Sequence, residues 1–212
     1  MASTANLEEK LRGTLDRLKR FGLVDSYYLA GGSAIGFHFG HRRSRDLDFF
    51  SRGASVDLSR TKADLLAHFE NVVIVHETDV ALHAIVEDVP VDFVRYAYPP
   101  IQVADSDLGI MIASPLDLAV MKLAAISRRG IRRDFWDLYV IATSGVALRT
   151  MGTAYVQRFG VAEPDLYHVL RALTFFDDAE LESTLPSGMT PQLWSEIKRY
   201  FLQEAPRLIA KE

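Results

Sequence analysis

The sequence predicts an α+β protein, a mixed sheet with helices followed by a helical C-terminal half. Three observations predict it. Short apolar or alternating segments with brief connections fill the chain to about residue 112. From Ser114 onward the apolar spacing is helical throughout. A hydrophobic content of 49% over 212 residues is enough for a substantial core. The expected division is 1–112 for the sheet portion with its N-terminal helix and 113–212 for the helical portion.

Leu7, Leu11, Leu15 and Leu18 recur at three- and four-residue steps and predict an amphipathic helix. Tyr27-Tyr28-Leu29-Ala30, bounded by Gly31-Gly32, predicts a buried strand turning into a helix that begins near Ser33 and ends around Gly40. Leu47 and Phe49 alternate with Asp46, Asp48 and Phe50 as in a strand. Residues 57 to 69 suit a helix with Asp57 as its cap, and 71–76, 80–86 and 90–96 read as adjacent antiparallel strands. In SPLDLAVMKLAAISRRG, a Ser cap, Pro at the first helical position and a closing Gly130 mark a helix at both ends. Further helical patterns run through 132–143, 147–159, 163–173 and 190–204, with a turn at Pro186-Ser187-Gly188.

A net charge of −4 with 25% charged residues gives no general affinity for nucleic acid, so any such contact must come from local patches. The absence of Cys excludes disulfides, thiolate zinc sites and cysteine nucleophiles, and is compatible with a reducing cytoplasm. No stretch approaches the roughly 18 apolar residues of a membrane span, and the first 20 residues interleave acids and bases; neither secretion nor membrane insertion is expected.

Three features carry chemistry. At Gly31-Gly32-Ser33, the glycines allow close backbone approach and the following helix N-terminus offers free N–H groups to a phosphate chain; the same residues also suit a bare strand-to-helix turn. Asp46-Leu47-Asp48 begins thirteen positions beyond Ser33 and places two carboxylates on one face of a strand, where they either converge on hard divalent ions or are simply solvated. Asp92 stands alone among Val91, Phe93 and Val94, and such an acid needs a partner: Arg95, another Arg, or a cation shared with the other two aspartates. Glu87 and Asp88 are nearby acids that compete for the third position.

This order of turn, Asp-x-Asp and later carboxylate resembles the polymerase-β-like nucleotidyltransferase superfamily. Within it, LAGGSAIGFHFGHRRSRDLDFFS and MKLAAISRRGIRRDFWDLY are similar to the AbiEii toxin family, and together they touch most of residues 27 to 140. The resemblance implies a magnesium-dependent nucleotidyltransferase that moves a nucleoside monophosphate from a nucleoside triphosphate (NTP) to an acceptor hydroxyl with release of pyrophosphate. It implies a nucleotide site at Gly31, Gly32 and Ser33, two magnesium ions on Asp46, Asp48 and Asp92, and remaining motif positions at Lys122, Arg133, Asp134 and Asp137. The helical half would complete the nucleotide and acceptor cleft. It further implies a toxin of a bacterial toxin–antitoxin or phage-defence system acting in the cytoplasm on RNA such as tRNA, with a cognate antitoxin as partner.

The residues keep other readings open. Transfer to a small molecule or a protein, or a catalytically silent nucleotide- or RNA-binding module, uses the same scaffold. Lys122 interrupts an apolar helix and must either snorkel or meet a polar cleft. Asp134 and Asp137, three apart on one helical face, suit an ion pair with Arg128, Arg129 or Arg133 as well as a catalytic role. The clusters His41-Arg42-Arg43-Ser44-Arg45 and Arg128 to Arg133 suit triphosphate, RNA backbone or plain charge balance. His38, His68, His76, His83 and His168 show no metal-ligand spacing and are expected to be ordinary. Residues 141–212 match no named motif.

Overall fold

The computed structural model describes residues 9–53, 56–162 and 166–209. Leu7 and positions 163–165 of the expected fourth C-terminal helix lie outside the described residues. The chain falls into two compact units, the first ending at Ser114 and the second beginning at Pro115.

In the first unit, helix α1 (Glu9–Arg20) leads to strand β1 (Tyr27–Ala30), helix α2 (Gly31–Phe39), strand β2 (Leu47–Ser51) and helix α3 (Leu58–His68). Strands β3 (Val72–Glu77), β4 (Ala81–Val86) and β5 (Val89–Val94) follow, then two three-residue strands, β6 (Val103–Asp105) and β7 (Met111–Ala113). They form one mixed sheet of order β3-β4-β5-β2-β1-β7-β6. β2 pairs with β5, and β1 with β7, in parallel; the remaining pairs are antiparallel.

Alternation decides which face is core. Leu47, Phe49 and Ser51 of β2 are buried while Asp48 and Phe50 are half-buried, and β5 repeats this with Val89, Val91 and Phe93 inside. Phe93 packs against Phe49 at 5.4 Å and Tyr27 at 5.1 Å between ring centroids. α1 covers β5 with Leu11, Leu15 and Leu18, each at most 2% exposed, and α3 packs on β4. The Asp57 side chain caps α3 by accepting from the N–H groups of Ser59 and Arg60, as its position in the sequence predicts.

Two local differences from the sequence reading stand out. Helix α2 opens at Gly31, two residues before Ser33, because Gly31 takes φ +60° and turns the chain directly from β1 into the helix. β6 and β7 were not expected: three residues each, interrupted by Ser106, Asp107 and Gly109, they carry too little periodicity to read.

The second unit contains helices α4 (Pro115–Arg129), α5 (Arg132–Thr143), α6 (Leu148–Phe159), α7 (Leu166–Thr174), a short α8 (Asp177–Glu180) and α9 (Pro191–Glu204). α4 is its centre, packing on α5, α6 and α7. Phe135 anchors an aromatic cluster with Phe176, Trp194 and Phe201, at centroid separations of 5.2, 5.9 and 5.8 Å. Within this core Arg158 donates to Asp117 across 2.8 Å, with both side chains at most 1% exposed. Arg132, also buried, donates to the carbonyls of Glu182 and Thr184 and to Glu180. No helix among the described residues is long and apolar enough to cross a membrane.

Removing one member of a buried pair strands the other charge. Asp117→Ala should therefore lower unfolding free energy by about 3–5 kcal/mol in urea titrations. A second test uses acid. Glu180 accepts from Lys198, Trp194 and Arg132, which hold its carboxyl down at about 2 against an ordinary 4.5. A depressed folded pKa stabilises above the unfolded value, and that stabilisation is lost as pH falls through the folded one. Glu180→Gln should be less stable than wild type above pH 4.5, with the gap closing between pH 4.5 and about 2.

Candidate active site

The parallel pairing of β2 with β5 aligns Leu47 with Val91 and Asp48 with Asp92. Since the leucine–valine pair faces the core, the two aspartates stand side by side on the opposite face, on strands about 4.7–4.9 Å apart. Antiparallel β1 places Ala30 opposite Asp48, so the turn into α2 begins beside that carboxylate. A Cβ on Gly31 would overlap the Asp48 side chain, whose own Cβ would be 2.9 Å away. Positive φ and this close approach both require glycine at Gly31.

Gly32 is enclosed as well: an added Cβ would lie 2.8 Å from Arg42 Nη2 and 3.0 Å from Ser44 Oγ. The Arg42 guanidinium thus stands over the first turn of α2, where unpaired N–H groups collect positive potential. Ser33, fully buried, donates its hydroxyl to the Asp46 carbonyl and ties α2 to the start of β2. Asp46 immediately precedes β2, and its Oδ1 accepts from Ser44 Oγ at 2.7 Å. Asp92 Oδ1 lies 2.9 Å from His83 Nδ1, and both side chains are about a third exposed, at 35% and 39%. The sequence reading offered Arg95 or another Arg as the partner of Asp92; the register of β4 with β5 supplies His83 in its place.

Asp48 and Asp92 thus share one sheet face beside a glycine turn, with Asp46 just before the strand, and carboxylate oxygens are the hard ligands magnesium prefers. Asp48 and Asp92 fit a divalent ion by alignment and donor type. Asp46 is turned to Ser44 and Asp92 to His83, and among the described residues no three His, Asp or Glu side chains are gathered as a metal-holding group.

Within the helical unit the motif residues Lys122, Asp134 and Asp137 meet one another. Lys122 Nζ lies 2.8 Å from Asp134 Oδ1 and 2.7 Å from Asp137 Oδ2, with the two carboxylates at most 1% exposed. Arg129 adds two hydrogen bonds to Asp134, of 2.8 and 3.1 Å. Lys122 therefore neither snorkels nor faces solvent; it joins α4 to α5 through two acids one helical turn apart. Burial works against its ammonium, but Asp137 and Asp134 outweigh that and raise its pKa above 10.5. Burial likewise opposes the Asp134 carboxylate, and Lys122 with Arg129 outweighs it, lowering its pKa below 3.8.

The basic clusters divide by burial and by pairing. Arg43, Arg45, Arg128 and Arg133 are exposed and form no ion pair among the described residues, whereas Arg132 is internal and Arg129 serves Asp134. The sequence alone points to Asp48, Asp92 and Gly31, whereas the contacts of His83 with Asp92 and of Arg42 with the Gly32 turn emerge only in the fold. Arg42 had a signal in its basic run; His83 had none short of the strand register.

The family model for the nucleotidyl transferase AbiEii toxin of type IV toxin–antitoxin systems matches residues 14–209. The chain belongs to the AbiEii family. An uncharacterised Aquifex aeolicus protein, aq_aa25, is 28% identical to this AbiEii chain over 198 residues, covering 92% of this chain and 94% of its own. Two Helicobacter pylori crystal structures share the fold at 19% identity. One, described as a "putative nucleotidyltransferase", has a TM-score of 0.56 over 95% of this chain and 96% of its own; the other, JHP933, has 0.53 over 95% and 94%. The AbiEii family identity accounts for both units together, since the matched span runs through the sheet and the helices alike.

For the Lys122 cluster the expected outcome is a stability change. Lys122→Met leaves two buried carboxylates short of their shared cation and should cost about 3–5 kcal/mol in urea unfolding near neutral pH. The loss should shrink as pH falls toward the lowered Asp134 pKa below 3.8, because the carboxylates stranded in the variant take up protons before those of wild type do, and again as pH rises through the raised Lys122 pKa above 10.5, where the wild-type ammonium itself titrates.

Proposed function

We propose that this AbiEii-family protein is a magnesium-dependent nucleotidyltransferase that moves a nucleoside monophosphate from an NTP to a hydroxyl of RNA, releasing pyrophosphate. The observation that carries the reading is the alignment of Asp48 with Asp92 beside the Gly31 turn. Two carboxylates on neighbouring strands repel by roughly 4 kcal/mol at close range and an effective dielectric near 20, and a divalent ion offsets that repulsion. Asp48 and Asp92, with Asp46 next to them, would hold magnesium, which supplies charge neutralisation for the phosphates and the departing pyrophosphate.

The chain's own groups divide the remaining work. The backbone N–H groups at the start of α2 and the Arg42 guanidinium receive the triphosphate, whose approach the two glycines permit. Ser33 fixes the position of Asp46 through its carbonyl, not by touching phosphate through its hydroxyl. Asp92 accepts the proton of the acceptor hydroxyl as that oxygen attacks the α-phosphorus and the bond to the pyrophosphate oxygen breaks. Lys122, Asp134 and Asp137 form a neutralised clasp that holds α4 to α5, from which exposed Arg133 offers a charge to an anionic ligand.

RNA as acceptor, tRNA among its forms, rests on Arg43 and Arg45, which are exposed and form no ion pair among the described residues, within three residues of Asp46 in a chain of net charge −4. A toxin acting on cytoplasmic RNA, restrained by a cognate antitoxin and serving phage defence, is the cellular role consistent with the family.

Incubation with each α-labelled NTP, magnesium, total RNA and protein extract tests the reading. Label should enter the RNA fraction, and Asp48→Asn should reduce it by at least ~100-fold with an unchanged melting temperature. Label in protein or small molecules would replace the acceptor; Asp48→Asn activity equal to wild type, or nucleotide binding with no pyrophosphate release, would overturn the transfer itself.

A further inference from the structure

The strand register at the outer edge of the sheet brings two histidines to the site face. Along β3 and β4 the pairs run Val72 with Val86, Val73 with Ile85 and Ile74 with Ala84, so an uninterrupted ladder would next set Val75 against His83. The register shifts between Ile74 and His76, and His76 takes that position instead. Val75 is the extra residue, 61% exposed. Such a bulge re-aims a side chain at a local cost in pairing, and bulges concentrate beside active sites. Here the result is a row across three strands, His76–His83–Asp92, continued by Asp48 on β2. The His76 and His83 rings stack at 5.9 Å and 23°, and His83 Nδ1 meets Asp92 Oδ1 at 2.9 Å.

We propose that His83 is a positioning residue for nucleotide transfer, an inference that rests on the function proposed above. Its Nδ1–H donates to Asp92 Oδ1, which fixes the rotation of that carboxylate and leaves Oδ2 as the oxygen available to the site. His76 stacks on the outer side of the ring and limits its tilt. A carboxylate with free rotation would divide its time among orientations; one anchored by a hydrogen bond keeps a single oxygen in place, as outer-shell partners do for liganding groups. A solvated surface pair would not need the bulge that exchanges a valine for His76 at this position.

The test has a kinetic and a spectroscopic arm. In steady-state transfer, His83→Ala should lower kcat by about 10–100-fold while KM for the NTP stays within about twofold. His83→Asn, whose amide N–H lies near the Nδ1 position, should recover most of that loss. Asp92→Asn combined with His83→Ala should be no worse than Asp92→Asn alone, since His83 acts only through Asp92. In metal-free protein in mildly alkaline buffer, long-range proton–nitrogen NMR should find the His83 proton on Nδ1, and Asp92→Ala, which removes the acceptor, should abolish that preference. A His83→Ala kcat equal to wild type, His83→Asn no better than His83→Ala, multiplying losses in the double variant, or the His83 proton on Nε2 in wild type would each overturn the proposal while wild-type transfer still stands. A wild type that transfers no nucleotide would overturn the underlying reading and this one with it.

Discussion

The parallel pairing of β2 with β5 is the constraint on which the rest of the sheet unit depends. It sets Asp48 beside Asp92 because Leu47 and Val91 are committed to the core on the other face. A slip of one residue would bury the acids and expose the apolar set, so hydrophobic burial enforces the electrostatic arrangement. The carboxylate row in turn dictates its neighbours. Gly31 cannot carry a side chain because Asp48 occupies that space, and β1 must turn into α2 there. Ser33 ties the helix back to the Asp46 carbonyl, so turn, helix and strand are fixed as one piece.

The buried acids of the helical unit and the half-buried acids Asp46 and Asp92 of the sheet unit meet different partners. In the helical unit, Asp117 has Arg158 while Asp134 and Asp137 share Lys122, so these carboxylates are met by cations inside the protein. In the sheet unit the partner of Asp46 is a serine hydroxyl and that of Asp92 a histidine ring. A serine orients a carboxylate without neutralising it. An acid fully paired to an internal cation contributes to packing; an acid held by an orienting donor keeps its charge for a ligand. On this contrast Asp134 and Asp137 are engaged by cations within the helical unit, even though the family resemblance spans both units.

Much of this was legible in the sequence, and the reason differs by element. The family match over residues 14–209 and the mixed sheet followed by helices agree with the expectation drawn from the glycine turn, Asp-x-Asp and the capped helix from Ser114. Those signals are local: a turn, an alternation, a cap. Asp92 was legible because an acid among Val91, Phe93 and Val94 is anomalous under burial alone. The partners were not legible, because pairing is tertiary. His83 reaches Asp92 only through the β4–β5 register, and His76 reaches His83 only through a bulge that no residue type announces. Lys122 likewise looked like a surface or cleft lysine because its two acids lie 12 and 15 positions away on the next helix.

Burial also sorts residues that composition leaves equivalent. Arg132 and Arg133 are adjacent in a run of like charge, yet a helix turns by about 100° per residue, so the two side chains leave it in different directions. Arg132 is enclosed by Glu180, Glu182 and Thr184 and stacks toward Trp194, which makes it part of the helical core. Arg133 is left to solvent. The same division separates Arg42, over the first turn of α2, from Arg43 and Arg45, which point outward. A basic run is therefore not one patch but two populations, and only the outward population is available to an extended anionic partner. For a chain whose net charge is −4, that restricts the surface on which such a partner can rest to a few named side chains.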